Sequence, residues 1–285
     1  MKKTFLILMA AAGVIACASK TTYSTPKGDK GGKEKEEETD QKDEESATIN
    51  LATYNVGVFN KSGVNSMDEV AAMMKEWHLD VLSLNELDSC NTRSGSRVYQ
   101  LKDFASKMGG WNYNYAGAIA YKGGSYGIGA VTGDKILRRW SIKLPKSDDK
   151  EVRALSVIET ERYVFCNTHL GLTAQSQMNQ VAEINYFVSR NFDGCSKPVF
   201  FCGDMNAEPE SNTIQTLMNQ WELLSKGSFM TFSTSNPIKC IDYIFRYKNS
   251  GKCKVTDTFV GYSFSNGNPR TASDHFPVFV SVTIE

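Results

Sequence analysis

The chain has 285 residues, 41% of them hydrophobic and 22% charged, with 32 basic side chains against 32 acidic ones. A charge so evenly balanced exerts no general pull on a polyanion. That argues against a dedicated high-affinity nucleic-acid binder without excluding a local basic groove. The length allows one substantial core, and no stretch resembling an interdomain linker divides roughly the last 240 residues.

The first residues read as an export signal. Lys2-Lys3 form a basic head, Phe5 to Ile15 an apolar run, and Val14-Ile15-Ala16-Cys17 a small-residue cleavage site that ends in cysteine. The run is about half the roughly 20 residues that a spanning helix requires. Val-Ile-Ala-Cys resembles the lipobox of bacterial lipoproteins, which implies a signal peptide over 1–17 and lipidation of Cys17. Such a protein would be exported and attached to a membrane, in the periplasm or at the cell surface. An ordinary secretory signal with an incidental cysteine is the alternative. From Ala18 to about Glu45 the chain carries six Lys against nine acidic residues and almost nothing apolar, too little to fold. We read 18–46 as a charged, disordered tether and 47–285 as the folded domain. From Ser46 onward there are 24 basic and 23 acidic residues, so the domain itself is also close to neutral.

Strand and helix signals then alternate. Thr48 to Val56 is predicted as a strand. Ser66 or Asn65 caps a helix whose apolar stripe runs through Val70, Met73, Met74 and Trp77. Leu79 to Leu84 is a buried strand running into Asn85-Glu86, and Tyr99 to Met108 a second helix stopped by Gly109-Gly110. Trp111 to Tyr121 and Gly127 to Thr132 are strands around a Gly-rich turn. Val152 to Glu159 and Arg162 to Asn167 pair as a hairpin. Ala174 to Arg190 has the clearest helical spacing. It is followed by a strand at Pro198 to Cys202, a helix near Ser211 to Met218, and strands at Cys240 to Phe245, Lys254 to Tyr262 and Phe276 to Ile284. The expected class is α/β: two mixed sheets packed face to face with helices outside. Six cysteines follow Cys17, at 90, 166, 195, 202, 240 and 253. Export would permit disulfides, but the spacing assigns no pairs, and Cys166 and Cys202 read as small buried hydrophobes.

The strand ends carry the chemistry. In order they are Asn55, Glu86, Asn167 with His169, Asp204 with Asn206, Asp242, and Asp274 with His275. Polar side chains at the mouths of apolar strands are costly to bury unless they serve each other or a ligand. Hard oxygen donors, a group to orient water and donors for phosphate oxygens together form the inventory of a metal-assisted phosphoester hydrolase.

Six short motifs sit at these positions. They are Thr53-Tyr54-Asn55-Val56, Asn85-Glu86-Leu87-Asp88, Asn167-Thr168-His169-Leu170, Gly203-Asp204-Met205-Asn206, Ile241-Asp242-Tyr243-Ile244 and Ser273-Asp274-His275-Phe276. In order and spacing they resemble the endonuclease/exonuclease/phosphatase superfamily, and the resemblance runs from about Thr48 to Glu285. It implies a four-layered α/β sandwich with its site at one rim. Glu86 would then hold Mg2+, or Mn2+ as the alternative, with Asn55 and Asp274 contributing directly or through water. Asp204 would orient or deprotonate the attacking water, with Asn206 beside it. His275, braced by Asp242, would contact the scissile phosphate, and His169 would donate to phosphate or aid the leaving group. Whether Asp204 or His275 is the base stays open at this point.

Further residues have two readings each. Asn167 either meets phosphate or ties loop backbone. Tyr126, in a Gly-rich turn similar to that of smaller bacterial members, either donates to phosphate or packs the turn. Arg93 either meets a substrate anion or lies in solvent, and His78 reads as a surface histidine. Two departures weaken any transfer of specificity: Thr132-Gly133 replaces a Ser-Arg pair frequent in the family, and Asn85 replaces the usual Gln before the glutamate.

The leading expectation is therefore a monomeric, divalent-metal-dependent phosphodiesterase or nuclease acting outside the cytoplasm. A lipid or small-molecule phosphoesterase, similar to sphingomyelinases or inositol phosphatases, is the alternative. A surface lipoprotein that keeps the fold only for binding is the third reading.

Overall fold

A computed structural model describes residues 48–285, so the expected signal, lipidated Cys17 and tether lie outside the described residues. In chain order the elements are β1 (Thr48–Asn55), α1 (Met67–Lys75), β2 (Val81–Ser89), α2 (Gln100–Lys107), β3 (Asn112–Tyr121) and β4 (Gly124–Thr132). Next come β5 (Arg138–Lys143), β6 (Ala154–Glu159), β7 (Val164–His169), α3 (Ala174–Phe192), β8 (Val199–Asp204) and α4 (Asn212–Gln220). The chain ends with β9 (Trp221–Leu223), β10 (Asp242–Tyr247), β11 (Cys253–Val260), α5 (Pro269–Ala272) and β12 (Val278–Ile284).

Side chains of a strand switch faces at every residue, so apolar groups at both parities imply cover on both sides. β1 does this. Ile49 and Leu51 enter one apolar cluster, and Ala52 and Tyr54 another. The same division recurs in β2, β7, β8 and β10, and it generates four layers. Ala52, Tyr54, Leu82 and Leu84 pack against Val70, Met73 and Met74 of α1 and Leu101 and Phe104 of α2. Ile49, Leu51, Val81, Phe165, Phe200, Cys202 and Ile244 meet between the sheets. Val164, Cys166, Phe201 and Phe245 pack against Val181, Ile184 and Val188 of α3 and Ile214 and Leu217 of α4.

Both sheets have six strands, in the orders β11-β12-β1-β2-β4-β3 and β5-β6-β7-β8-β10-β9. Each is mixed, because β1–β2 and β7–β8 pair in parallel and the other neighbours antiparallel. At the end of the sandwich where β1 begins, Arg162 ties the layers together. Its guanidinium bonds the carboxylates of Asp80 and Asp134 and the Thr48 carbonyl.

Three elements were not legible in the sequence. β5 is a polar edge strand, mostly exposed, whose Arg138, Arg139 and Lys143 hide any alternation. β9 and α5 are only three and four residues long, too short for a periodic signal. The last strand starts two residues later than expected because Pro277 has no N–H for the ladder. The six cysteines in the described residues are all free, with Cys166 and Cys202 fully buried.

Candidate active site

The inward parity of five strands turns polar at one end of the interlayer. Asn55 continues the face of Ile49 and Leu51, Asn85 that of Val81, and His169 that of Phe165. Asp204 continues the face of Phe200 and Cys202, and Asp242 lies on the face of Ile244. Register places them side by side: Asn55 pairs with Asn85 in one sheet, and Asp204 lies between His169 and Asp242 in the other. Gly203 makes this possible. Its φ is +135°, and a Cβ there would run into the Thr168 carbonyl, so only glycine lets β8 approach β7 here.

Glu86 reaches the cleft by breaking the alternation. Leu84 and Leu87 both face the outer cluster, three residues apart, so Glu86 is the extra residue of a bulge and adopts φ 60°. A non-glycine residue in the left-handed region is uncommon and is tolerated where surrounding contacts fix it. Asn55 supplies one such contact. Its Nδ2 donates to Glu86 Oε1 and to Asp204 Oδ2, each at 3.1 Å, while its Oδ1 accepts from the Gly57 N–H. In this geometry Asn55 acts as a bridge between two carboxylates, and its amide oxygen keeps one lone pair. Asn85, flagged in the sequence only as a departure, joins the sheets. Its Nδ2 donates to the Thr168 carbonyl and its Oδ1 accepts from the Asp204 N–H.

Asp204 is almost fully buried between two imidazoles, with Oδ2 3.5 Å from His169 Nε2 and 3.6 Å from His275 Nε2. Its other oxygen accepts from the Asn206 N–H at 2.8 Å, and Asn206 is itself left-handed (φ 48°), with Nδ2 donating to the Leu170 carbonyl. Burial pushes the Asp204 carboxyl upward against the pull of His169, and Asp242 adds to the push. His275 Nδ1 lies 2.9 Å from Asp242 Oδ2, the contact expected of the brace. Ser273 Oγ, which donates to the Asn55 carbonyl, also accepts from the His275 N–H and holds this loop against β1.

The two imidazoles are driven apart electrostatically. Burial lowers His169 to about 3, despite the attraction of Asp204, so it is neutral. Burial also opposes a charge on His275, but Asp242 and Asp204 outweigh it and raise the ring to about 10. One site therefore holds a neutral and a cationic imidazole on either side of one carboxylate.

A cavity of about 620 Å³ opens onto this group. Glu86, His169, Asp204, Asn206, Asp274, His275 and Tyr126 all border it. Tyr126 is raised by burial, chiefly, so its phenol keeps its proton and can donate. Four expected residues do not border it: Asn55 and Asp242, which bond lining residues, and Asn167 and Arg93. Asn167 is fully buried and donates to the Gly129 carbonyl, so of its two readings it takes the tie. Arg93 grips Asp88 through two hydrogen bonds of 2.8 and 2.6 Å and lies over the rings of Tyr121 and Tyr126. Its charge is paired with Asp88 and not turned on the cavity, while the side chain stays about one-third exposed.

Arg153 and Lys61 were missed. Arg153 borders the cavity with only 5% exposure, its Nε has no partner, and its nearest acid, Glu151, is 3.5 Å from Nη1. A buried, underused guanidinium in the wall is a donor waiting for an anion. Lys61 has its Nζ 2.8 Å from Asp274 Oδ2 and 4.0 Å from Glu86 Oε2. No sequence pattern distinguishes either from a surface cation.

Two donor sets are compatible with a metal ion. Asp204, Asp242 and His275 have ligand atoms within 4.8 Å of one another and could bind one. In this set the 2.9 Å contact between His275 Nδ1 and Asp242 Oδ2 already engages an atom of each residue and leaves His275 Nε2 facing Asp204. Glu86 and Asp274 fit a hard cation better: both are carboxylates on the cavity, Asp274 Oδ1 is buried without a partner, and an ammonium already lies between them.

The sequence profile described as the Endonuclease/Exonuclease/phosphatase family matches residues 52–275. Among solved structures, the chain is similar to an endonuclease/exonuclease/phosphatase from Bacteroides vulgatus at 17% identity and a TM-score of 0.68, covering 84% of this chain and 99% of that one. It is also similar to the Bacteroides thetaiotaomicron mannosyl-6-phosphatase Bt3783, at 18% identity and 0.64, covering 82% and 99%. The human Nocturnin catalytic domain with bound sulfate matches at 14% and 0.61, covering 84% and 96%. At these identities the likeness establishes the fold alone. No curated protein matches the chain.

The His275 ring supplies a direct check. Its value lies above the ordinary 6.5, so the stability it contributes is complete below that pH and is lost as pH rises through about 10. Nitrogen-15 NMR should find the ring still protonated at pH 8, and in Asp242→Asn deprotonated by neutrality. A wild-type ring titrating near 6.5 would contradict the brace.

Proposed function

Because this chain belongs to the Endonuclease/Exonuclease/phosphatase family, we propose that it is a divalent-metal-dependent hydrolase of a small phosphate ester, acting outside the cytoplasm. Hydrolysis of phosphoesters is the family's reaction, and the family is divalent-metal dependent. The observation that carries the reading is Asp204, a buried carboxylate with a raised proton affinity between a neutral and a cationic imidazole.

In this reading Asp204 takes the proton of the attacking water. His275, raised to about 10 by Asp242 and Asp204, serves in this reading as the cationic donor. The water oxygen forms the new bond to phosphorus, and the ester oxygen leaves with the electrons of the broken phosphorus–oxygen bond. His275 donates through Nε2 to a non-bridging oxygen, and its charge, neutralised in part by Asp242, stabilises the extra negative charge that develops there. His169, Tyr126 and Arg153 offer further donors around the cavity. Glu86 and Asp274 would hold Mg2+, with Mn2+ as the alternative, and a bound ion would supply a Lewis acid for the phosphate and leaving oxygens.

The cavity favours the small-molecule alternative over nucleic acid. Its volume of about 620 Å³ suits one small ligand, and its wall is mixed in charge, Glu151 and Glu208 against Arg153 and Lys239, and not the uniformly basic surface that a polyanion favours. One of the similar folds bears the name mannosyl-6-phosphatase, which agrees with a small ester.

A panel of p-nitrophenyl phosphate, sugar phosphates, bis-p-nitrophenyl phosphate, phosphoinositides, sphingomyelin, RNA and duplex DNA, with Mg2+, Mn2+ or EDTA, tests this. We expect the fastest turnover on a small ester and its loss in EDTA. In Asp204→Asn kcat should fall at least about a hundredfold, the scale of a lost general base. Rates indifferent to chelation would reject the metal, and DNA cleaved faster than every small ester would reject the substrate class.

The location outside the cytoplasm rests on the Lys2-Lys3 head, the apolar run and Cys17, which we propose is lipidated and holds the enzyme to a membrane. Wild-type protein expressed in a bacterium should partition into detergent, and Cys17→Ala into the aqueous phase. Equal partitioning of the two would contradict lipidation.

A further inference from the structure

We propose that Lys61 is a tethered cation that occupies the Glu86–Asp274 carboxylates and thereby sets the affinity of this site for a divalent ion. The inference rests on the reading that these two residues hold that ion.

The turn that delivers Lys61 is built against local preference. Gly57, Val58 and Phe59 have φ values of 50°, 54° and 54°, three successive residues in the left-handed region, one of them β-branched. L-residues avoid that region because Cβ crowds the following carbonyl. The conformation is held by surrounding contacts. The Gly57 N–H donates to Asn55 Oδ1, Phe59 N–H to the Val56 carbonyl, and Asn60 N–H to the Gly57 carbonyl. The Phe59 ring is buried and stacks on Phe104 with centroids 5.5 Å apart.

The result folds the chain back so that the Lys61 stem lies on Gly57. A Cβ at that glycine would collide with Lys61 Cγ, Cδ and Cε. The ammonium therefore arrives along a defined path, although the side chain is about one-third exposed. Strain concentrated in a turn whose product is one aimed side chain marks a functional constraint more readily than a surface accident.

That ammonium arrives among carboxylates. It lies 2.8 Å from Asp274 and 4.0 Å from Glu86, and Asp204 adds to the attraction. A divalent ion bound by the same oxygens has to displace the ammonium or share the carboxylates with it. Without Lys61 two carboxylates would face one cavity with no cation between them, and their repulsion would be relieved by any ion that enters. Lys61 thus keeps the pair together when no ion is bound and raises the concentration of ion needed to fill the site.

Free Mn2+ can be followed by its electron paramagnetic resonance spectrum while it is titrated into metal-free wild type, Lys61→Met, Lys61→Gln, Lys61→Arg and Glu86→Gln. Both neutral variants should bind Mn2+ about three- to tenfold more tightly than wild type, in line with the loss of a partly exposed ion pair shared by two carboxylates. Lys61→Arg should stay near wild type, and Glu86→Gln should bind far more weakly. A lysine that merely shaped the turn would weaken binding when removed. Equal or weaker affinity in both neutral variants therefore overturns the proposal while leaving the metal site standing. Wild-type binding that is absent, or indifferent to Glu86→Gln, overturns the metal reading and this proposal together.

Discussion

The site depends on one geometric continuity: the strand faces that press the two sheets together are the faces that end in Asn55, Asn85, His169, Asp204 and Asp242. Alternation is rigid in a strand, so once Ile49, Phe165, Phe200 and Ile244 are committed to the interlayer, the polar residues at the same parity are committed too. Convergence of distant residues needs no special loop conformation for these five. It follows from packing. Among the residues that border the cavity, the two non-glycines with left-handed backbone, Glu86 and Asn206, are those where parity alone does not aim the side chain.

Burial at the end of that interlayer then sorts the ionisable groups. Desolvation alone would make His169 and His275 alike, both neutral. The Asp242 carboxylate, bonded to one ring and not the other, separates them by several units of proton affinity. Asp204, between them, is desolvated and raised, which makes it a better proton acceptor than an exposed aspartate. The cavity gathers three kinds of group: the carboxylates Glu86 and Asp274 with Lys61 beside them, the imidazoles with Asp204, and the donors Tyr126 and Arg153.

How much of this could be read from the sequence follows the same physics. Strands buried on both sides announce themselves as continuous apolar runs, and polar residues at their ends stand out against that background, which is why Glu86, His169, Asp204, Asp242 and His275 could be named beforehand. β5 could not, because an edge strand exposed to water needs no apolar pattern. Arg153 and Lys61 had no such contrast: one precedes a strand and the other sits in a polar loop, and only folding shows that one loses water and the other is aimed at carboxylates. Arg93 had two readings, a substrate anion or solvent, and its side chain is about one-third exposed. A cation beside a motif invites an anion from the substrate, but Asp88, five residues away and fully buried, takes it first. The direction of the Asn55 amide was equally hidden, since sequence does not tell which end of an amide faces the cleft.

The account stands on a cation site at Glu86 and Asp274 distinct from the reacting group of Asp204 and the imidazoles within one cavity. Anomalous diffraction from crystals soaked in Mn2+ tests it most directly. The account predicts a peak beside Glu86 and Asp274, with the Lys61 ammonium moved away and the His275–Asp242 bond intact. A peak among Asp204, Asp242 and His275, with that bond broken, would contradict it.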